Sequence, residues 1–437
     1  MLIDFTVENY RSIKDPVTLS AVAQTGRATG PGKKASGRDY IKSDDDIALA
    51  FPVAGRGFEL LPVLGIFGAN ASGKSNVLLA YDKLLNLMAN GGTDVHAASL
   101  TALEDVNPFG LDRTTAASPT QFRLRVALES VVYTYSLSLN RKRVIDERLE
   151  QMRPASKRHS LLFSRKWEER TGQYTWKNGE ELGVYRRLQE SIKEDEIFLG
   201  LLTTRFNVDV LKTLANWTNF RWQGLGHEQF NHLVSLRQVK RMGPEWRKRV
   251  VQIIRQFDTG LSDIEVETKQ GSDSQQKLIA VHNQGAMSVR WPFEEESTGT
   301  QRLFDLANKV LSCLDYGNLI LEDELGSNIH PHVSREIVRL FQNPITNPKR
   351  AQLIFTSHDN TLQQRNLLRR DQIWFTEKRA DGSTELYPLT DFKPRNDLAI
   401  DKAYLDGRFG AVPILPDTED LIPSFEVQGE QERELVA

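Results

Sequence analysis

The sequence predicts an α/β fold, and three observations support that prediction. First, residues 68–76 are Gly-Ala-Asn-Ala-Ser-Gly-Lys-Ser-Asn, which matches the pattern G-x-x-x-x-G-K-[ST]. Second, an apolar run before this loop and helical spacing from Val77 to Met88 after it give a strand–loop–helix order. Third, short apolar segments at 318–321 and 352–356 alternate with helical segments, which is typical of a parallel sheet. We therefore expect a mixed sheet around the loop and its helix.

The glycine-rich loop has the composition of a phosphate-binding loop. Its glycines let successive backbone N–H groups point inward at phosphate oxygens, and the following helix adds unpaired donors and a positive dipole end. In this motif the lysine contacts the β- and γ-phosphates and the next hydroxyl residue holds Mg²⁺, which assigns Lys74 and Ser75. The residues expected to contact the nucleotide here are Gly68, Ala69, Asn70, Ser72, Gly73, Lys74, Ser75 and Asn76.

Length and composition exclude several classes of protein. A chain of 437 residues is too long for one ordinary core, so we expect two domains or one domain with a large insertion. The net charge of −2 excludes a globally basic nucleic-acid coat, and the single cysteine, Cys313, excludes a disulfide framework. No apolar run reaches the roughly 18 residues of a membrane span, and the first residues do not have the order of a signal peptide. We expect a cytoplasmic protein with no membrane segment.

The sequence divides into four regions. Residues 1–150 open in β structure, contain a loop at 25–57 that we expect to be mobile, and end in period-two alternation that predicts consecutive antiparallel strands. Residues 151–260 are expected to form a mainly helical insertion, because helical spacing dominates their second part. Residues 261–412 return to strands alternating with helices, and residues 413–437 are expected to be a disordered acidic tail.

An apolar strand that ends in carboxylates follows in the second half of the chain. Residues 319–324 are Leu-Ile-Leu-Glu-Asp-Glu, and Mg²⁺ prefers hard oxygen ligands, so we assign Asp323 to the metal together with Ser75. Glu324, one residue further on, is then placed to orient and deprotonate an attacking water. A carboxylate pair at a strand end is also an ordinary structural feature, and Glu322 receives no role.

Two further segments have residue types that suit phosphate chemistry. The apolar strand at 352–356 ends in Ser-His-Asp, which puts His358 at the carboxyl edge of the sheet, within reach of a γ-phosphate or a water. Residues 297–302 are Ser-Thr-Gly-Thr-Gln-Arg and come directly before a helical run that starts at Leu303, a place where hydroxyls and free N–H groups hold an anion. A hydrogen-bonded histidine and a plain serine N-cap are the alternative interpretations.

With these motifs in this order, the chain resembles the ABC-type ATPase head. This is the version shared by chromosome-maintenance proteins, double-strand-break repair ATPases and the nuclease-linked ATPases of the overcoming-lysogenisation-defect type. The segments 296–302, 329–331 and 403–411 also resemble AAA-type ATPases of anti-phage defence operons, such as the ATPase subunits of the phage anti-restriction-induced system. The resemblance covers roughly 1–150 and 260–412. It implies an ABC-type P-loop fold with ATP and Mg²⁺ as cofactors.

The resemblance also implies roles for residues outside the phosphate loop. Arg11, after the first strand, is near the phosphates in such heads. Ser297, Gly299 and Thr300 correspond to the signature loop, which closes on the ATP of a second subunit, so that two chains build two composite sites. One departure is that residues 326–328 are Gly-Ser-Asn, where family members often have an Asp shortly after the catalytic glutamate. The communication loop between the two sites is therefore unassigned.

Two functions are compatible with these features. The first is an ATP-hydrolysing sensor of an anti-phage defence system that forms a homodimer or higher homo-oligomer and controls a separately encoded nuclease or toxin, with a phage protein as trigger. We expect the head to be complete by about residue 412 and to be followed only by the acidic tail, so that any nuclease would be a separate polypeptide. The alternative is a DNA-binding repair clamp of the chromosome-maintenance type. Basic runs at 141–143, 157–159 and 237–249 suit DNA, although such runs are usually solvated helix or hairpin faces.

Overall fold

The fold was analysed in a computed structural model of the chain. The structure describes residues 1–24, 50–53, 55–90, 103–154, 156, 158–204, 206, 208, 211–219, 228–257, 260–268, 276–395 and 398–413. Most of the loop predicted at 25–57, and the acidic tail predicted after residue 413, lie outside the described residues.

The described residues form strands and helices that alternate along much of the chain. The strands are β1 (Leu2–Glu8), β2 (Val17–Ser20), β3 (Phe51–Pro52), β4 (Glu59–Leu60), β5 (Val63–Gly68), β6 (Thr120–Leu128), β7 (Val131–Leu139), β8 (Val144–Met152), β9 (Ser160–Glu168), β10 (Gln173–Asn178), β11 (Asp263–Thr268), β12 (Gln276–Gln284), β13 (Met287–Pro292), β14 (Leu319–Glu322), β15 (Gln352–Thr356), β16 (Ile373–Lys378) and β17 (Thr384–Pro388). The helices are α1 (Lys74–Asn90), α2 (Arg113–Ala117), α3 (Arg186–Gln189), α4 (Phe198–Thr204), α5 (Lys212–Asn219), α6 (Glu228–Gln256), α7 (Thr298–Tyr316), α8 (Pro331–Gln342) and α9 (Ile400–Leu405).

A five-stranded sheet in the order β14-β15-β5-β16-β17 contains the phosphate-loop strand at its centre. The first four strands are parallel, and β17 pairs antiparallel with β16. Successive residues of β5 face opposite sides: Leu64 and Ile66 pack with α1 in one core, while Val63 and Phe67 pack with α7 and α8 in another. Both faces are therefore covered, which is why the residues in the middle of β14 and β15 are apolar. The predicted α/β fold, a mixed sheet around the phosphate loop and its helix, is confirmed.

A seven-stranded antiparallel sheet in the order β10-β9-β8-β7-β6-β1-β2 packs over α1 on the side of the first core. The β structure predicted at the start of the chain is the antiparallel pair β1 and β2 of this sheet, and the antiparallel strands predicted from residue 120 are also present in it. The sheet extends beyond residue 150, because β9 and β10 follow β8 and pair in sequence. The helical part of the region at 151–260 therefore begins only after these two strands.

The helical part contacts both cores. Helices α4 and α5 pack on α1 in the first core. Helix α6 is interrupted at Gly243, where φ is 81° and a proline follows, and its second half packs along α7. There the buried Trp246 donates its indole N–H to the Asn308 side chain at 3.0 Å. The three-stranded sheet β11-β12-β13 follows, in the region where the sequence predicted a return to strands.

A fully buried ion pair joins the antiparallel sheet to the first of these helices. The Arg165 guanidinium on β9 lies 2.8 Å from the Glu147 carboxylate on β8, and neither side chain is exposed. Glu147 also accepts hydrogen bonds from the Tyr135 hydroxyl at 3.0 Å and from the backbone N–H groups of Phe198 and Leu199 at 3.0 and 2.9 Å. One carboxylate thus neutralises a buried cation and satisfies the free donors at the start of α4.

We expect Arg165→Met to lower the free energy of unfolding by about 3–5 kcal/mol, because it leaves the Glu147 carboxylate buried without its counter-ion. The matched control is Arg148→Met on β8, where Arg148 pairs with Glu150 at 2.7 Å and is 44% exposed. An exposed pair contributes at most about 1 kcal/mol. Urea unfolding of both variants measures the difference, and equal losses would contradict the assignment.

Candidate nucleotide site

The phosphate loop lies between β5 and α1, at the carboxyl edge of the parallel sheet. Gly73 has a φ of +105°, and a Cβ added there would lie 2.0 Å from Thr384 Oγ1 on β17. The Thr384 hydroxyl also donates to the Ser72 carbonyl at 3.0 Å, while the Ser72 hydroxyl contacts Thr376 Oγ1 at 2.7 Å. The curled backbone that the motif predicts is therefore held by two threonines from the neighbouring strands β16 and β17.

Lys74 lies inside the curl of this loop. Its amine donates to the carbonyls of Gly68 and Ala69, both at 2.9 Å, and the residue is 6% exposed. Burial lowers the pKa of Lys74 from its usual value, and the carboxylates of Asp323 and Glu324 oppose that shift.

Ser75 and Asp323 meet at this edge although they are 248 residues apart in the sequence. The Ser75 hydroxyl donates to Asp323 Oδ1 at 3.1 Å, and the Thr356 hydroxyl donates to the same oxygen at 2.5 Å. A hydroxyl and a carboxylate oxygen in contact form the hard-oxygen set that suits Mg²⁺, so the donors present fit this ion. Thr356 was not singled out from the sequence, where it is only the last residue of an apolar strand.

Glu324 and His358 lie at the same edge. Glu324 has a φ of +56°, and its backbone N–H donates to Thr356 Oγ1 at 2.8 Å. The pKa of His358 is lowered from 6.5, chiefly by burial and next by the charge of Lys74, while Glu324 and Asp323 act in the opposite direction. The imidazole is therefore neutral at pH 7. The charges that act on the His358 pKa belong to the phosphate loop and to the two residues that follow β14.

The signature turn, Ser297 to Thr300, forms the N-terminus of α7. Ser297 is the N-cap: its hydroxyl accepts from the Thr300 N–H at 3.1 Å and contacts Thr300 Oγ1 at 2.9 Å. Because this serine caps the helix, α7 begins at Thr298, and Gly299 lies within its first turn. A Cβ at Gly299 would lie 2.8 Å from the Asn328 carbonyl. The described hydrogen bonds of Ser297 and Thr300 stay within the turn and do not reach the phosphate loop.

A second group of side chains, which the sequence analysis missed, supports this turn. Glu296 Oε1 lies 2.6 Å from His282 Nε2 and accepts the Trp291 indole N–H at 2.8 Å. The rings of His282 and Trp291 stack with centroids 4.2 Å apart. The two aromatic residues come from β12 and β13, and no local pattern in the sequence links them to Glu296.

Arg11 is next to Ser12, whose side chain contacts the first turn of α1. The Ser12 hydroxyl accepts from the Asn76 amide at 2.6 Å and contacts Thr384 Oγ1 at 2.7 Å. The Arg11 guanidinium itself lies over the Tyr10 ring, 5.7 Å from its centroid. Its contact with the phosphates therefore stays a prediction.

Several cations of the basic runs have carboxylate partners. Arg143 pairs with Glu194 at 3.2 Å, and Arg249 pairs with Asp315 at 2.6 Å. Lys248 lies 2.8 Å from the Glu245 carboxylate. These contacts agree with the interpretation of the runs as solvated faces.

Comparisons with known proteins identify one matching family. A family model described as "AAA domain, putative AbiEii toxin, Type IV TA system" matches residues 63–362, which is more than half of the chain. No curated protein matches the sequence.

Solved structures of Smc heads are similar over most of the chain. A crystal structure of the SmcHead bound to the C-winged helix domain of ScpA shares 12% identity, covers 92% of this chain and 99% of that one, and has a TM-score of 0.42. An Smc head domain with an extended coiled coil, bound to the C-terminal domain of ScpA from Pyrococcus furiosus, shares 14% identity with coverage of 93% and 98% and a TM-score of 0.38. Both TM-scores lie below 0.5, so neither likeness supports a statement about function.

Within the described residues, no helix combines the length and the apolar composition needed to cross a bilayer.

We expect Gly73→Ala to weaken ATP binding at least about tenfold. The added Cβ meets Thr384 Oγ1, and an L-residue at a φ of +105° is strained by about 1–3 kcal/mol, so the loop must move. The control is Gly57→Ala, where no atom lies within 4 Å of the added Cβ. Equilibrium titration with a fluorescent ATP analogue compares the variants, and equal affinities would show that the loop geometry does not matter.

Proposed function

The chain belongs to this AAA-domain family, and from that premise we propose that it is a Mg²⁺-dependent ATP hydrolase. The hydrogen bond between Ser75 and Asp323 is the observation that carries the proposal, because it joins the phosphate loop to the carboxylate strand. Bound Mg²⁺ would neutralise charge on the phosphates. Ser75 and Asp323 would hold it, while Lys74 would move its two hydrogen bonds from the loop carbonyls to phosphate oxygens.

The remaining groups at the edge divide the chemistry between them. Glu324 follows the metal ligand directly and accepts a proton from the attacking water in this proposal. The neutral imidazole of His358 has one N–H to donate to the γ-phosphate, and its lowered pKa keeps it neutral at pH 7. Both residues come directly after strands of the same sheet, which is where ligands bind in open α/β sheets.

We infer that hydrolysis needs two copies of the chain. The Ser297 hydroxyl and the first N–H groups of α7 form an anion-binding helix end, yet their described bonds remain inside the signature turn. A second subunit that presents its ATP to this turn would complete both composite sites. ATP therefore acts as the contact between two heads.

We further propose that this ATPase is the sensor and scaffold of an anti-phage defence system and controls a separately encoded toxin or nuclease. The support is the family description, which refers to a putative toxin and a Type IV TA system. A phage protein would then be the trigger. The alternative is a DNA clamp. It predicts that the affinity for DNA falls steeply as the salt concentration rises, because contacts with DNA phosphates release counterions.

We expect Glu324→Gln to bind ATP normally while kcat falls about 100-fold or more, because the general base is removed. Assemblies that form with ATP should persist, because without hydrolysis the subunits do not dissociate. The control is Glu336→Gln on α8, whose carboxylate is half exposed and pairs with Arg339. Phosphate release and light scattering measure turnover and assembly; full turnover in Glu324→Gln would show that another group is the base.

The defence role is tested by the mass of the complex purified after expression from its native operon, with and without ATP. We expect co-purification with a second protein that is released or rearranged by a phage factor. If the chain purifies alone, dimerises only with ATP and binds DNA in low salt, the sensor proposal is wrong and the DNA clamp is the better explanation.

A further inference from the structure

Glu322 is a buried carboxylate to which the proposed mechanism gives no role. It is the last residue of β14, is 1% exposed and directly precedes Asp323. Both of its oxygens are occupied by α7: Oε1 accepts from Arg302 Nη2, and Oε2 lies 3.2 Å from Lys309 Nζ. The strand residues before it are apolar, so a carboxylate here interrupts the pattern expected of a buried parallel strand.

The two cations lie on one face of α7. Arg302 and Lys309 are seven residues apart, which is about two helical turns, so both point toward the same strand end. Arg302 follows Ser297 by five residues, and its Nη2 also donates to the backbone carbonyl of Asp323 at 3.3 Å. The helix that begins with the signature turn is thus bound to both Glu322 and Asp323.

Stability alone does not account for this arrangement. Buried ion pairs contribute little more, and often less, to stability than apolar residues of the same volume, because desolvation offsets the attraction. Lys309 is 2% exposed, so the network keeps charged groups out of water where the surrounding core is apolar. We take the role of this network to be the positioning of α7 relative to β14, a use of buried ionic groups that is known in some proteins.

We propose that Glu322 is a positioning residue that couples the signature turn of a subunit to the metal-binding edge of the same subunit. This inference rests on the proposed function. When ATP of a second subunit engages Ser297, the resulting displacement of α7 moves Arg302. Arg302 then moves Glu322 and the Asp323 backbone together, which sets the carboxylates of Asp323 and Glu324. Because the signature turn serves one composite site and Asp323 the other, the network links the two sites of a dimer.

The test uses the full-length chain with Glu322→Gln and Arg302→Lys. Arg302→Lys keeps the positive charge but removes the planar guanidinium, whose Nη2 donates to both the Glu322 carboxylate and the Asp323 carbonyl. We expect the Kd for ATP to change less than about threefold, kcat to fall about tenfold, and the Hill coefficient for ATP to approach 1. The control is Asp315→Asn, also on α7, which removes the exposed pair with Arg249 and should change none of these.

A double-variant comparison separates positioning from a purely structural role. If Glu322 acts through the signature turn, the double variant Ser297→Ala, Glu322→Gln should have a kcat no lower than that of the more impaired of the two single variants. Additive losses in kcat, or an unchanged Hill coefficient in Arg302→Lys, would overturn the inference. If Glu322→Gln does not fold, the pair Arg302→Lys and Ser297→Ala gives the same comparison. An inactive unmodified protein would instead reject the proposed function, so the two failures are distinguishable.

Discussion

The pairing of β5 with β15 and β16 is the constraint on which the rest of this structure depends. These parallel strands are far apart in the sequence, so the chain must leave β5, build the antiparallel sheet and helical region, and return in register. Their carboxyl ends then lie at one edge. Ser75 meets Asp323 there only because this pairing is satisfied, and Thr356 holds the Asp323 carboxylate in place from the strand between.

The two cores have different roles around this sheet. The first core, with α1 and the antiparallel sheet, supports the phosphate loop from behind, and the buried pair of Arg165 and Glu147 anchors α4 to the sheet. The second core supports α7, and therefore the signature turn. The turn is held from two directions: Glu296 binds it to β12 and β13, and Glu322 binds the next part of the helix to β14. Phosphate loop and signature turn thus belong to separately packed layers of one head.

Local features of the site could be predicted from the sequence because their causes are local. The glycines and lysine of residues 68–76 specify a curled loop wherever they follow a strand, and the apolar strand before Asp323 places a carboxylate at its end. The alternation that predicted antiparallel strands reflects one buried face and needs no knowledge of partners. The sequence placed the start of α7 too late, since the serine that caps the helix lies upstream of its apolar stripe.

What the sequence by itself determined is thus the loop, the apolar strands next to it, the antiparallel strands from residue 120 to 150, and the residue types available to bind phosphate and metal. Only the tertiary structure decided their partners. Thr384 supports Gly73, and Ser12 binds Asn76, through contacts between segments distant in the sequence. The sequence assigned no role to Glu322, and only the structure shows that Arg302 and Lys309 of α7 contact its carboxylate. The physical reason is that a side chain's hydrogen-bond and charge partners depend on which elements pack together, and periodicity encodes which face is buried but not what covers it.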